Sequence, residues 1–145
     1  MIEGDIFSTL INIVAFFNRT DRDKKMVTDA GVNLEATSLQ SFTSIGRMQP
    51  TNVSDLANLL GKSHSSTSRQ IDKLEKNGLI ETQPSQKDAR IRVIRLSKQG
   101  EQITSVINAT RLKTMQSAFS DWSDSDKKQL LDSLEHLNQT LTNIN

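Results

Sequence analysis

Between Ser63 and Lys76 the chain reads SHSSTSRQIDKLEK, a run of short hydroxyl side chains leading into cations. Ser63, Ser65, Ser66 and Ser68 come first. Arg69, Lys73 and Lys76 follow at steps of four and three, a spacing that a helix gathers on one side. Small hydroxyls let a backbone approach a ligand closely, and they bond phosphates or base edges. A guanidinium can bond both acceptors of a guanine edge at once, which makes Arg69 the best candidate for base readout. Further on, Lys87, Arg90 and Arg92 stand around Asp88 in a polar segment suited to lie along phosphates or enter a minor groove. The chemistry these residues offer is recognition of a polyanion. The blander reading of the same residues is a soluble capped helix followed by an exposed turn pair.

The charge distribution bears on that choice. From Gly61 to Gly100 nine Lys or Arg face four acids, whereas the remainder of the 145-residue chain carries nine against thirteen. A basic middle between acidic flanks suits a polyanion-binding segment held in a nearly neutral body, and an uneven solvated surface gives the same sum. The absence of cysteine removes disulfides, thiolate catalysis, thiol-based peroxide sensing and sulfur-ligated metals. His64 and His136 are too few to build a zinc site. A glycine-rich phosphate loop, a nucleophile elbow and a His-Glu metal helix are all missing, so no enzyme and no cofactor are expected. The opening MIEGDIFSTLINIVAFF carries Glu3 and Asp5 without a basic leader and is too interrupted to cross a bilayer; a cytoplasmic location is expected.

These residues need elements to hold them. Ile6, Leu10, Ile13, Val14 and Phe17 predict a first helix over about 4–18, ended by the polar stretch NRTDRDKK. Leu39, Phe42 and Ile45 predict a second over about 34–47, with Pro50 beyond it. Asn52 and Asp55 cap a short helix with Leu56, Ala57 and Leu60 inward, and Gly61 breaks it. Ser63 caps the next, which buries Thr67, Ile71 and Leu74 and ends at Gly78. With successive side chains rotated by about 100°, Ser65, Arg69, Asp72, Lys73 and Lys76 then point outward. Asp72 is awkward there: it pairs with Arg69 or Lys76, or accepts from a cytosine amino group, and the sequence does not decide.

Two helices around a glycine turn make a helix-turn-helix. Leu79–Gln83 and Ile91–Leu96 read as a hairpin, although the apolar alternation slips between Val93 and Ile94. A bulge explains the slip, and so does a twist that changes the covered face. Ser97 caps a long helix to about Ser120, and Ser123 with Asp126 opens a last one.

At the wing the residues become familiar. KDARIRVIRLSKQG resembles the wing of the MarR family, an Asp-x-Arg pair leading through a strand to a hydroxyl residue and a helix with an early glycine. Asp88, Arg90, Leu96, Ser97 and Gly100 occupy the matching columns, Ser97 standing where threonine is commoner. LANLLGKSHSSTSRQIDKLEKNGLI resembles the family's helix-turn-helix.

The resemblance implies a mainly α (α+β) fold, a winged helix-turn-helix over 34–97 with a two-stranded wing. Helices over 1–20 and 98–145 would form a dimerisation bundle, all within one domain over 1–145. It also implies that Arg90 makes the minor-groove contact while Asp88 orients the wing arginines. The expected partners are double-stranded DNA carrying a pseudo-palindromic operator, a second copy of the chain, and a small-molecule effector of unstated identity. The expected role is that of a repressor of transcription.

Leu130, Leu134, Leu137, Leu141 and Ile144 step by four, three, four and three, an a/d seam suited to a partner helix. Packing on the chain's own core is the alternative. Phe16, Phe17, Phe42, Phe119 and Trp122 could line a ligand pocket, but plain core positions are expected of them. A winged-helix module that binds protein and never DNA is the rival reading, and the basic wing argues against it.

Overall fold

The computed structural model describes residues 1–17, 19, 24–25, 28–29 and 31–144. The polar stretch expected to end the first helix lies largely outside the described residues; helix α1 spans Ile2–Phe17. Helix α2, Ala36–Met48, turns Leu39, Phe42 and Ile45 inward, each at most 1% exposed. Their steps of three follow the helical period, so one face of α2 becomes a wall of the core.

Helix α3, Val53–Leu60, begins where the Asn52 side chain accepts from the Asp55 N–H at 2.8 Å. The Asn52 amide in turn donates to the Asp55 carboxylate. Gly61, in the left-handed region at φ 63°, stops α3 and turns the chain within three residues into α4, His64–Lys76. Ser63 Oγ caps α4 by accepting from the Ser66 N–H at 3.1 Å. Thr67, Ile71 and Leu74 of α4 are buried against the same core.

The wing follows. Strands β1, Ile80–Pro84, and β2, Arg92–Leu96, pair antiparallel in unbroken register from Ile80 opposite Leu96 to Pro84 opposite Arg92. There is no bulge within this pairing. The slip in alternation is therefore not a bulge: Ile94 and Leu96 are buried, while Val93, opposite Gln83, is half-buried.

Ile94 also bonds across to Thr51, exchanging both backbone hydrogen bonds at 3.1 and 2.8 Å. Gln49 adds a side-chain acceptor for the Leu96 N–H at 2.8 Å. The segment before α3 thus acts as a short third rail of the sheet.

Helix α5, Lys98–Ala118, contributes Ile103 and Ile107 to the core, and α6 spans Asp124–Thr142 behind a Ser123 cap. The chain divides into two compact units inside α5, Met1–Ile107 and Asn108–Asn145. In the first unit Leu39, Phe42, Ile45, Leu56, Ile71, Leu74, Leu79, Ile94 and Ile107 are fully buried, and they hold the helix-turn-helix and the wing against one another. In α1 no residue is buried, and Ile6, Val14 and Phe17 are each about half exposed.

In the second unit α6 has no buried residue either, and Leu134, Leu141 and Ile144 are open. Phe119 and Trp122 stack edge to face with ring centroids 4.9 Å apart. Of the five aromatics expected in the core, Phe42 alone is buried. Phe16, Phe17 and Trp122 are exposed, and Phe119 is half-buried. No helix among the described residues is long and apolar enough to cross a membrane.

Candidate nucleic-acid interface

The outward face of α4 starts at its cap. Because Ser63 fixes the first turn, Ser65 is exposed and Ser66 and Ser68 are half-buried, all at the amino-terminal end of the helix. Thr67 points inward and donates to the Ser63 carbonyl at 2.9 Å, so the hydroxyl run divides between structure and surface. Gln70 is half-buried and accepts from Ser38 of α2 at 2.5 Å, which locks the helix in rotation about its own axis.

Arg69 is exposed, and among the described residues nothing holds its guanidinium. Lys76 is in the same condition. Lys73 stands 3.8 Å from Glu35, both mostly open to solvent. Such a pair contributes little.

The wing tip is organised by its backbone. Ser85 N–H donates to the Ile91 carbonyl at 2.7 Å, and Ile91 N–H donates to the Asp88 carbonyl at 3.0 Å. Inside this loop Asp88 accepts from the Arg90 backbone N–H at 3.0 Å, and its two oxygens take a fork from Arg90 Nε and Nη2 at 3.1 Å each. These bonds hold the Asp88 carboxyl below its ordinary 3.8, the Arg90 side chain being the larger cause and its backbone N–H the smaller. The Arg90 side chain is nonetheless 90% exposed, so the fork aims it without covering it. Lys87 is exposed beside it, its N–H bonded to Ser85 Oγ at 3.2 Å.

Arg92 differs from the other cations. Its Nη1 donates to Asp72 of α4 at 3.0 Å and its Nη2 lies 3.8 Å from Glu75. Thr82 of β1 donates to the same Glu75 oxygen. Asp72 therefore finds its partner twenty residues away on the wing, and neither Arg69 nor Lys76 is drawn to it. Local spacing does not foretell this contact, because it joins two elements. The one available signal is that Asp72 and Glu75, acids three apart on an otherwise basic helix, need cations from somewhere.

The expected site residues thus fall into two sets. Ser63, Ser65, Ser66, Ser68, Arg69 and Lys73 lie on α4 or its cap; Lys87, Asp88, Arg90 and Arg92 lie on the hairpin beside it. The MarR family matches residues 34–91, the stretch that contains the helix-turn-helix and most of the wing.

That segment is similar to the MarR family. Members of this family are transcriptional regulators and not enzymes. Solved structures with the same fold cover nearly the whole chain. A MarR family protein from Bacillus stearothermophilus superposes with a TM-score of 0.76 at 19% identity, covering 97% of this chain and 96% of that one. Staphylococcus aureus MarR in complex with salicylate and kanamycin gives 0.74 at 14%, covering 98% and 93%. Streptococcus pneumoniae FabT in complex with DNA gives 0.68 at 18%, covering 99% and 97%. No curated protein matches the chain by sequence.

Proposed function

We propose that the chain is a homodimeric, sequence-specific DNA-binding repressor of transcription, acting in the cytoplasm and released by a small-molecule effector. One observation carries the DNA-binding part: α4 presents an unengaged Arg69 behind a hydroxyl-rich first turn, beside a wing whose Arg90 is aimed outward by Asp88. A helix that enters a major groove needs one face packed and the other short, polar and cationic, and α4 has both. Arg69 reads a base edge, Ser65, Ser66 and Ser68 bond phosphate or base edges, and Ser63 with Lys73 flanks them. Arg90 enters the minor groove and Lys87 lies along the backbone.

The dimer is supported by α1 and α6, neither of which has a buried residue and whose Ile6, Val14, Phe17, Leu134 and Leu141 stay about half exposed. Two-fold symmetry then calls for a pseudo-palindromic operator, with half-sites about one turn of duplex apart. Repression and release by an effector rest on the family likeness, which includes a staphylococcal relative holding salicylate and kanamycin.

The test is fluorescence anisotropy of the purified protein against the duplex upstream of its own gene and against a scrambled duplex, over a salt series, with the mass in solution measured alongside. Tight binding to the native duplex alone, weakening steeply with salt, is the expected result. Absence of binding even at low salt would overturn the reading and favour a protein-interaction module.

A further inference from the structure

Among the described cations of the wing, Arg92 is the one whose partners lie on the reading helix. Asp72 and Glu75 sit three apart on α4, so both carboxylates fall on neighbouring turns of one side. Arg92 reaches both, at 3.0 and 3.8 Å. Thr82 bonds Glu75 from the other strand of the hairpin. Arg92 pairs with Pro84 in the sheet and Thr82 with Ile94, so the two anchor points belong to separate strands. A hairpin tied at one point can pivot; tied on both strands to two turns of a helix it keeps its angle. The Arg92 side chain is 32% exposed, against 90% for Arg90 at the tip.

We infer that Arg92 is a positioning residue for DNA recognition: with Asp72, Glu75 and Thr82 it fixes the wing's angle against the reading helix, and it does not contact phosphate itself. Asp72 then serves as the anchor of the wing and not as a base-reading group. This inference rests on the DNA-binding reading above, and it goes beyond it in giving Arg92 and Asp72 roles that face inward, across the interface. The functional consequence is that reading helix and wing address major and minor grooves at one fixed spacing, without paying to order the wing at each encounter.

The variants Asp72→Asn, Arg92→Ala, Arg92→Lys and the double variant D72N/R92A separate this role from a phosphate contact. The first measurement is amide hydrogen exchange of the DNA-free protein. Exchange in β1 and β2 is expected to speed up alike in Asp72→Asn and Arg92→Ala, with α2 unchanged. The second is anisotropy with a duplex enriched from a random pool and with a scrambled duplex, across a salt series.

Each single variant should lower the preference for the enriched duplex by about two- to fivefold, the double no further, and Arg92→Lys should recover part of it. The salt slope should match wild type in all of them. Asp72→Asn is the decisive variant, because removing a negative charge would tighten binding if electrostatics alone counted.

A tighter Asp72→Asn complex, additive effects, and a slope smaller by about 0.9 in Arg92→Ala would make Arg92 a phosphate contact and overturn the inference. Unchanged exchange in β1 and β2 would overturn it without reference to DNA. Should wild type prefer no duplex, the DNA-binding reading falls, and the exchange result still decides whether the link holds the wing.

Discussion

Gly100 offers the sharpest test of how the wing is joined to the body of the fold. A Cβ built on Gly100 would stand 2.1 Å from the Leu79 carbonyl oxygen, 3.1 Å from its carbon and 3.4 Å from the Phe42 ring. The obstacle is backbone, and it cannot rotate away. The oxygen also accepts from the Ser97 N–H at 3.0 Å, so it is pinned where the wing meets α5. To reach ordinary contact the two backbones must part by more than an ångström.

Overpacking of this kind costs about 1–3 kcal/mol, and a backbone obstacle belongs at the upper end. Loss of the Ser97–Leu79 bond adds about 1 kcal/mol. The better helix propensity of alanine returns at most about 1 kcal/mol. Gly100→Ala should therefore destabilise by about 3 kcal/mol, lowering Tm by roughly 6–12 °C for a chain of this length.

Gly46→Ala is the control. Its Cβ would meet Thr104 Cγ2 at 3.3 Å, a side-chain methyl that can yield, so the net effect should stay within about 1 kcal/mol of zero. Differential scanning calorimetry of the three proteins at one protein concentration decides it. A Gly100→Ala protein as stable as wild type, or one no worse than Gly46→Ala, refutes the reasoning.

Further outcomes are open to measurement. Ser97→Ala removes the donor to the Gly78 carbonyl at 2.6 Å and the acceptor of the Gly100 N–H at 3.0 Å, and should cost about 0.5–2 kcal/mol in urea unfolding. Arg69→Ala should change base preference at one position of each half-site by about 1–3 kcal/mol in a selection assay; an unaltered preference profile would exclude Arg69 as the reading residue. Arg90→Ala should weaken binding to native and scrambled duplexes together, and wild-type affinity in that variant would remove the wing from the interface. The Asp88 carboxyl should titrate below 3.8 by carbon-detected NMR and move back up in Arg90→Ala. Because the folded-state pKa is depressed, the stabilisation this pair brings is full above the unfolded value and fades only as pH falls through the folded one, so the wing tip should keep its form through mild acid.

Local signals carried far in this chain. The caps at Asn52, Ser63 and Ser123 each involve a side chain and a backbone N–H three residues on, so sequence alone places them. The inward positions of α2 and α4 follow from helical period for the same reason. The slip at Val93–Ile94 was legible as an anomaly but not as a cause, since the unbroken register that excludes a bulge is a pairing between two strands. Asp72 illustrates the same limit: helical spacing named Arg69 and Lys76 as partners, and a better-placed guanidinium arrived from another element. The aromatics misled for a different reason. An apolar side chain reads as core from its type, but coverage depends on its neighbours, and no residue of α1 or α6 is buried.

The two bonds that close the wing loop, Ser85 to Ile91 and Ile91 to Asp88, run between backbone groups. Nearly any sequence can make them. The Ser85 hydroxyl and the Asp88 carboxylate add side-chain bonds to that backbone frame, and none of residues 86–90 belongs to the buried core. A chain built this way can exchange its tip, or have it exchanged, without refolding the body. New DNA preferences could arise at the wing by substitution alone, at a pace independent of the selection acting on Phe42, Ile71 and Ile94 beneath it.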